Sequence, residues 1–399
     1  MAHRKGCREA RVSPGTVGAV LLGAGFAQLL YTYVGYPWLI SWLPTRPPRL
    51  GPSVGPRLIS VVIAARARRK GVAHKVKSLL RTIRLPCEIV VVMDGPDAAV
   101  SSEVADLAAL RDARIKVSVL PDRRGKAAAL NHAVALAAGD VLVFMDVRQE
   151  VAAGAVERLV ATLRSPDVGA VSGSLIMASS TKSEGLYERY WRFERWLRAR
   201  EAAWDSSVGV SGALYALKRE LWRPLPAGLL LDDVWVPFQV VRAGLRVAFD
   251  SLATTTDVAS HSDATELARK IRTLTGNYQL IAWMPALLVP WKNRLWWQFI
   301  SHKVLRLLTP LAASCVLAGV VLLSGRWFGV LVFAAALGLV LAAVRSSKAG
   351  APGRGFWGTV RSGLALFVAL IMAALNAARG RWDVWTDPVR PTLADTRRS

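Results

Sequence analysis

Residues 140–147, DVLVFMDV, decide how the long middle of this chain folds. The run is short, continuously apolar and ends on polar residues, which is the form of a strand buried in a parallel sheet. Two earlier runs have the same form, LISVVIAA at 58–65 and CEIVVVMDG at 87–95. Helical stretches lie between and around them: AHKVKSLLRTI at 73–83, DAAVSSEVADLAAL at 97–110 and GKAAALNHAVALAA at 125–138. Strand alternating with helix predicts an α/β domain with a parallel sheet and right-handed crossovers. Ligands of such sheets bind beyond the carboxyl ends of the strands. Asp94 and Asp146 both fall there.

Outward from this domain the composition changes. No charged residue occurs from Val12 to Thr45, and TVGAVLLGAGFAQLLYTYVGYPWLI within it can cross about 30 Å of hydrocarbon. Arg4, Lys5, Arg8 and Arg11 precede it, as in a signal peptide, but the run is longer than a leader needs. Trp38 and Trp42 are placed as an interfacial belt, so a retained anchor is expected. After Arg306 come three more apolar runs: LLTPLAASCVLAGVVLLSG, WFGVLVFAAALGLVLAAV and SGLALFVALIMAALNAA. The loop between the last two carries Arg345, Lys348, Arg354 and Arg361, which places it and the middle domain in the cytoplasm. The expected domains are a tail and transmembrane helix (1–45), a cytoplasmic domain (50–280) and an interfacial aromatic segment (281–304). About three transmembrane helices (305–378) and a basic tail (379–399) complete them.

Lys and Arg outnumber Asp and Glu by 52 to 28 in 399 residues, a formal charge of +24 that calls for an anionic partner. For a chain that also spans a membrane, nucleic acid is set aside in favour of anionic membrane lipids and a nucleotide diphosphate. Cys7, Cys87 and Cys315 imply neither a disulfide framework nor a zinc site, and the five histidines are scattered.

Polar segments punctuate the middle domain in a definite order. VVVMDGPD at 90–97 ends on Asp94, PDRRGKAAALNHA at 121–133 carries Lys126, and FMDVRQ at 144–149 carries Asp146. VGVSGALYALKREL at 208–221, LLLDDVWVPFQVVRAGLRVAFD at 229–250 and RKIRT at 269–273 follow. Read one by one, Asp94-Gly95 is a turn, Ser211-Gly212-Ala213 a turn before a strand, and Asp232 and Asp233 acids at a helix start. Taken in order, they resemble the family 2 glycosyltransferases of GT-A fold, a family that includes membrane synthases of cellulose, hyaluronan and poly-N-acetylglucosamine.

That resemblance implies inverting sugar transfer from a nucleotide diphosphate donor, a UDP-sugar by expectation, to a polysaccharide or lipid-linked acceptor at the plasma or inner membrane. Asp94 would contact the nucleotide; Lys126 and Arg124 would approach the donor, with Asn131 bracing their loop. Asp146 would hold Mg²⁺ or Mn²⁺ against the diphosphate, although Arg148 stands where the family has a second acid. Ser211, Gly212 and Asp232 would line the acceptor side, and Asp233 would be the general base. Arg272 would neutralise the departing diphosphate, with Arg269 near the donor. Departures also carry meaning. Thr273 replaces the tryptophan that underlies the acceptor in processive members, and Ala67 and Arg68 replace an Asn-Glu pair at the base site. With these changes, a catalytically impaired scaffold subunit is the alternative reading, and a partner subunit or second copy would be needed to complete any channel.

Overall fold

The computed structural model describes residues 13–49, 55–66, 71–178, 186–258, 263–324 and 356–383, with scattered positions between 328 and 338. The chain packs as two compact units, residues 1–39 with 301–371, and residues 40–300 with 372–399.

The larger unit is built on one sheet of eight strands in the order β3-β2-β1-β4-β7-β6-β8-β5. In chain order these are β1 (Ile59–Arg66), β2 (Cys87–Asp94), β3 (Ile115–Val119), β4 (Val141–Met145), β5 (Glu150–Val151), β6 (Val168–Ala178), β7 (Leu214–Lys218) and β8 (Arg246–Val258). The three apolar runs form β1, β2 and β4, and β1 pairs in parallel with both of the others. Helices cover them, so that Val61, Val62 and Ile63 of β1 and Val90, Val91 and Val92 of β2 are wholly buried. That two-sided burial is why these strands are continuously apolar instead of alternating. The helix Val72–Thr82 shows the complementary pattern: Val72, Val76 and Leu79 face the core at helical spacing.

The sheet is mixed, which the expectation of a parallel sheet did not include. β7 pairs antiparallel with β4 and with β6. Its first residue, Leu214, therefore lies opposite the last of β4, Met145. The reversal carries the turn before β7 to the same sheet edge as the carboxyl ends of β1, β2 and β4. Asp94, Asp146 and the turn before β7 all lie at that edge. A cleft of about 1000 Å³ lies at the opposite end of β4, beside Asp140 and Arg219, away from those strand ends.

In the other unit, Pro14–Trp42 is a helix of 29 residues, long and apolar enough to cross a membrane. Its Gly25 lies so near the helix Thr309–Leu323 that an added Cβ would sit 2.5 Å from the Ala312 carbonyl oxygen. Small residues permit such close approach between apolar helices. The run after Arg306 is not one straight span. Trp296–Leu307 and Thr309–Leu323 meet at 59°, just before Pro310, whose ring excludes a straight helix through Arg306. Gly363–Ala378 is a shorter apolar helix. Most of WFGVLVFAAALGLVLAAV, the basic positions 345, 348 and 354, and Ala67 and Arg68 lie outside the described residues.

The segment expected to be interfacial is part core and part surface. Leu287, Leu295 and Phe299 are buried, with Phe299 set edge-on to Phe238 at 5.3 Å, while Trp291 is 83% exposed. The amphipathic stretch before it is the helix Leu186–Trp204, where Leu197 is buried and Tyr190 exposed.

Candidate active site

Four pieces of backbone converge at the sheet edge. Asp94 ends β2, Asp146 follows β4, the Ser211–Ala213 turn precedes β7, and the helix Asp232–Arg242 begins with two carboxylates. A backbone bond from Val210 N–H to the Asp233 carbonyl, 2.8 Å, ties the last two together.

Lys126 opens the helix Lys126–Leu136 and joins the pieces. Its Nζ lies 3.1 Å from Asp232 Oδ2 and 3.7 Å from Asp146 Oδ1. Burial by itself would push the ammonium down. Asp232, then Asp146 and Asp233, outweigh it and hold the group well above the usual lysine range. Lys126 thus stays charged at any working pH. Gly212 lines the same cleft: a Cβ added there would lie 3.7 Å from Asp233 Oδ2 and 3.8 Å from Lys126 Nζ.

Asp94 acts on the loop that delivers Lys126. Its Oδ1 accepts from Arg124 N–H at 2.7 Å, and its Oδ2 from Gly125 N–H at 3.0 Å. Gly95, next along, has φ +90°, and a Cβ on it would sit 2.5 Å from Arg123 Cγ. Replacing Gly95 by Ala is expected to cost about 1–2 kcal/mol through the left-handed conformation alone. It should also push the Arg123–Gly125 loop off Asp94, and thermal unfolding together with nucleotide titration would register both effects.

Asn131 does not brace that loop. Its side chain instead clamps Leu225, accepting from the backbone N–H at 2.8 Å and donating to the carbonyl at 2.9 Å. Five helical residues separate it from Lys126, which turns it about 140° around the axis and away from the loop.

Arg269 and Arg272 are half-buried on the helix Asp263–Trp283. One turn beyond Arg272, on the same face, Gly276 packs against Leu231, with an added Cβ only 2.5 Å from Leu231 Cγ. Buried Gln279 then fixes the approach to Asp232, accepting from Leu230 N–H at 2.9 Å and donating to the Gly228 carbonyl at 3.0 Å. The face of this helix that carries Arg272 is therefore the one that shapes the Asp232 turn.

Tyr215, Gln149, Asp257 and Lys75 are not marked by any motif. Tyr215 is buried opposite Phe144, its ring stacked at 4.7 Å. Its hydroxyl has no hydrogen-bond partner among the described residues, and burial, then Asp232, Asp233 and Asp146, push it well above the usual phenol range. Arg148 is turned onto Asp257 of β8, and Gln149 Nε2 donates to the same Asp257 Oδ2 at 2.9 Å. Lys75 donates its ammonium to the Gln149 carbonyl. Only an acid closing the Thr-rich stretch ATTTDV hinted at Asp257.

Lys75 is buried, and that burial lowers it to about 8 from an ordinary 10.5, against the opposing pull of Asp146 and Glu150. Below pH 8 both folded and unfolded chains hold this proton. Between 8 and 10.5 the folded chain releases it first, the unfolded chain binds more protons, and stability rises with pH. That rise should be absent from Lys75→Met when thermal unfolding is followed between pH 7 and 10.

The donor set does not suit a divalent cation resident in the protein. Asp146 is the single acid at the end of β4 and already faces Lys126, while Asp257 is taken by Arg148 and Gln149. Among the described residues no three His, Cys, Asp or Glu side chains are grouped to hold a metal.

Comparison with known proteins agrees with this architecture. Residues 60–221 match the family model described as Glycosyl transferase family 2. Glycosyltransferase AglD of Haloferax volcanii is 33% identical over 208 residues, which is 48% of this chain and 32% of that protein. The chain thus aligns with about a third of that relative's length. Among solved structures, the mannosyltransferase PcManGT of Pyrobaculum calidifontis, in complex with GDP-Man and Mn²⁺, superposes with a TM-score of 0.69 at 21% identity. The superposition covers 92% of this chain and 99% of that one, and at this identity it speaks for the fold. Glucosyl-3-phosphoglycerate synthase of Mycobacterium tuberculosis, at 20% identity and a TM-score of 0.41, covers 57% of this chain and 79% of its own.

Proposed function

We propose that this protein, whose residues 60–221 match the Glycosyl transferase family 2 model, is a glycosyltransferase that moves a sugar from a nucleotide diphosphate donor to a polysaccharide or lipid-linked acceptor, with inversion, at the membrane. The observation that carries this reading is the Lys126 ammonium between Asp232 and Asp146, with Asp233 beside it at the carboxyl edge of the sheet. A permanent cation there meets the diphosphate, and a carboxylate one residue further along meets the acceptor. Asp233 takes the proton of the acceptor hydroxyl as its oxygen attacks the anomeric carbon. The bond from that carbon to the diphosphate breaks, and the nucleoside diphosphate leaves against Lys126 and Arg272. Asp94 positions the loop before Lys126, and Arg269 faces the donor. Ser211, Gly212 and Asp232 border the acceptor. A divalent cation, Mg²⁺ or Mn²⁺, enters this reading only with the donor itself, where it would add positive charge to the diphosphate.

The helix Pro14–Trp42 supports an anchored enzyme, and its catalytic unit faces the cytoplasm, where nucleotide sugars are made. The donor is a UDP-sugar in this reading, with GDP-sugars as the competing class. The test is nucleotide release by the full chain in lipid nanodiscs against a panel of UDP- and GDP-sugars. Release from one donor establishes the transfer and its sugar. Arg148, in place of an acid, favours the second reading, an inactive scaffold subunit. Binding without release from any donor would establish that reading instead.

A further inference from the structure

Resting on the nucleotide-diphosphate reading above, we infer that the site binds its donor's diphosphate through resident side-chain cations, Arg148 and Lys126, and needs no divalent cation to do so. Arg148 stands two residues beyond Asp146, on the segment that leaves the end of β4. Its guanidinium is fastened to Asp257, whose side chain is only 3% exposed, while the Arg148 side chain keeps 34% of its surface open. Guanidinium has five N–H donors, and a carboxylate engages at most two of them in a fork. Arg148 also borders, with Lys75, Gln149 and Glu150, a cleft of about 660 Å³ along the segment that follows Asp146.

The same pair explains why a free cation finds no seat. Asp257, on β8, is already occupied by both Arg148 and Gln149. Asp146 Oδ1 is 3.7 Å from the Lys126 ammonium. A divalent ion entering there would have to displace the Lys126 ammonium, which already stands between Asp146 and Asp232. A diphosphate would meet the two cations directly, with Arg148 held by Asp257 and Lys126 by Asp232 before it arrives. Arg148 is thus a donor-binding residue, and Asp257 positions it.

Calorimetric titration of the full chain in nanodiscs with UDP and GDP, once in EDTA and once in Mn²⁺, tests this by binding alone. The expected result is one nucleotide whose Kd differs by no more than about three-fold between the two conditions, well inside the range set by one charged hydrogen bond. Arg148→Ala should weaken that nucleotide by about ten-fold or more in EDTA. Arg148→Asp, which restores an acid and frees Asp257, should bind nucleotide in Mn²⁺ and lose it in EDTA. Wild-type binding that is abolished by EDTA and restored by Mn²⁺ would overturn the inference and leave the glycosyltransferase reading standing. Absence of nucleotide binding in both conditions would remove the diphosphate reading and this inference with it. The wild-type comparison decides the matter even if either variant fails to fold.

Discussion

Asp233→Asn is expected to lower the rate of sugar transfer by about a thousand-fold while donor affinity stays nearly unchanged, within the range that general-base catalysis supplies. The two acids that open the helix Asp232–Arg242 have different surroundings. Asp232 is buried and paired to Lys126 at 3.1 Å, so its charge is already committed. Asp233 is half-buried, borders Gly212 and hangs from a backbone that Val210 holds at 2.8 Å. Asn fills the same volume and leaves that backbone bond intact but cannot accept the acceptor's proton. The loss of one acid from a helix start should cost less than about 1 kcal/mol of stability, so a folded, inactive protein is the outcome to look for. Release kinetics with a fixed donor, and nucleotide binding measured separately, divide the rate effect from affinity. If the Asn variant kept its rate, the base would have to be another group, and Asp232→Asn would be the next variant.

Lys126→Met should be the more damaging change to binding and to the fold together. It leaves Asp232 buried with its counter-ion gone, and breaking a buried pair costs about 3–5 kcal/mol. Because the Lys126 side chain is 21% exposed and water can reach the gap, the lower end of that range, about 3 kcal/mol, is expected. Nucleotide affinity should fall by about a hundred-fold, since the same ammonium faces the diphosphate. Adding Asp232→Asn should recover most of the stability and none of the affinity. That double substitution separates the structural role from the binding role, because only the first is a matter of the unpaired carboxylate. In the parent protein, Lys126 keeps its proton throughout the neutral and moderately alkaline range, being held above the usual lysine value by Asp232, Asp146 and Asp233 against its burial. Any loss of nucleotide affinity between pH 7 and 9 must therefore come from another group.

Much of the framework was legible from residue order. β1, β2 and β4 were readable because strands buried on both faces carry no polar alternation, and the chain has three such runs. The helix Pro14–Trp42 was readable because hydrocarbon-length apolar runs are rare. Asp94, Lys126, Asp146, Asp232 and Asp233 could be assigned in advance to strand ends and helix starts, which is where the structure has them.

Partnership was another matter. Nothing local distinguishes Asp232 from Asp233; the distinction comes from Lys126, which lies more than a hundred residues earlier and stands 3.1 Å from the first of them. Nothing local ties Arg148 to Asp257, since that pair forms only once the segment after β4 lies beside β8. The antiparallel setting of β7, which brings Gly212 and Tyr215 to the carboxylates, is equally a property of the assembled sheet. Residue order sets which elements form and which ionisable groups stand at their ends, because propensity and burial act through near neighbours. How those groups pair came from the assembled fold, because charge interactions act through space between segments that the chain's own order keeps apart.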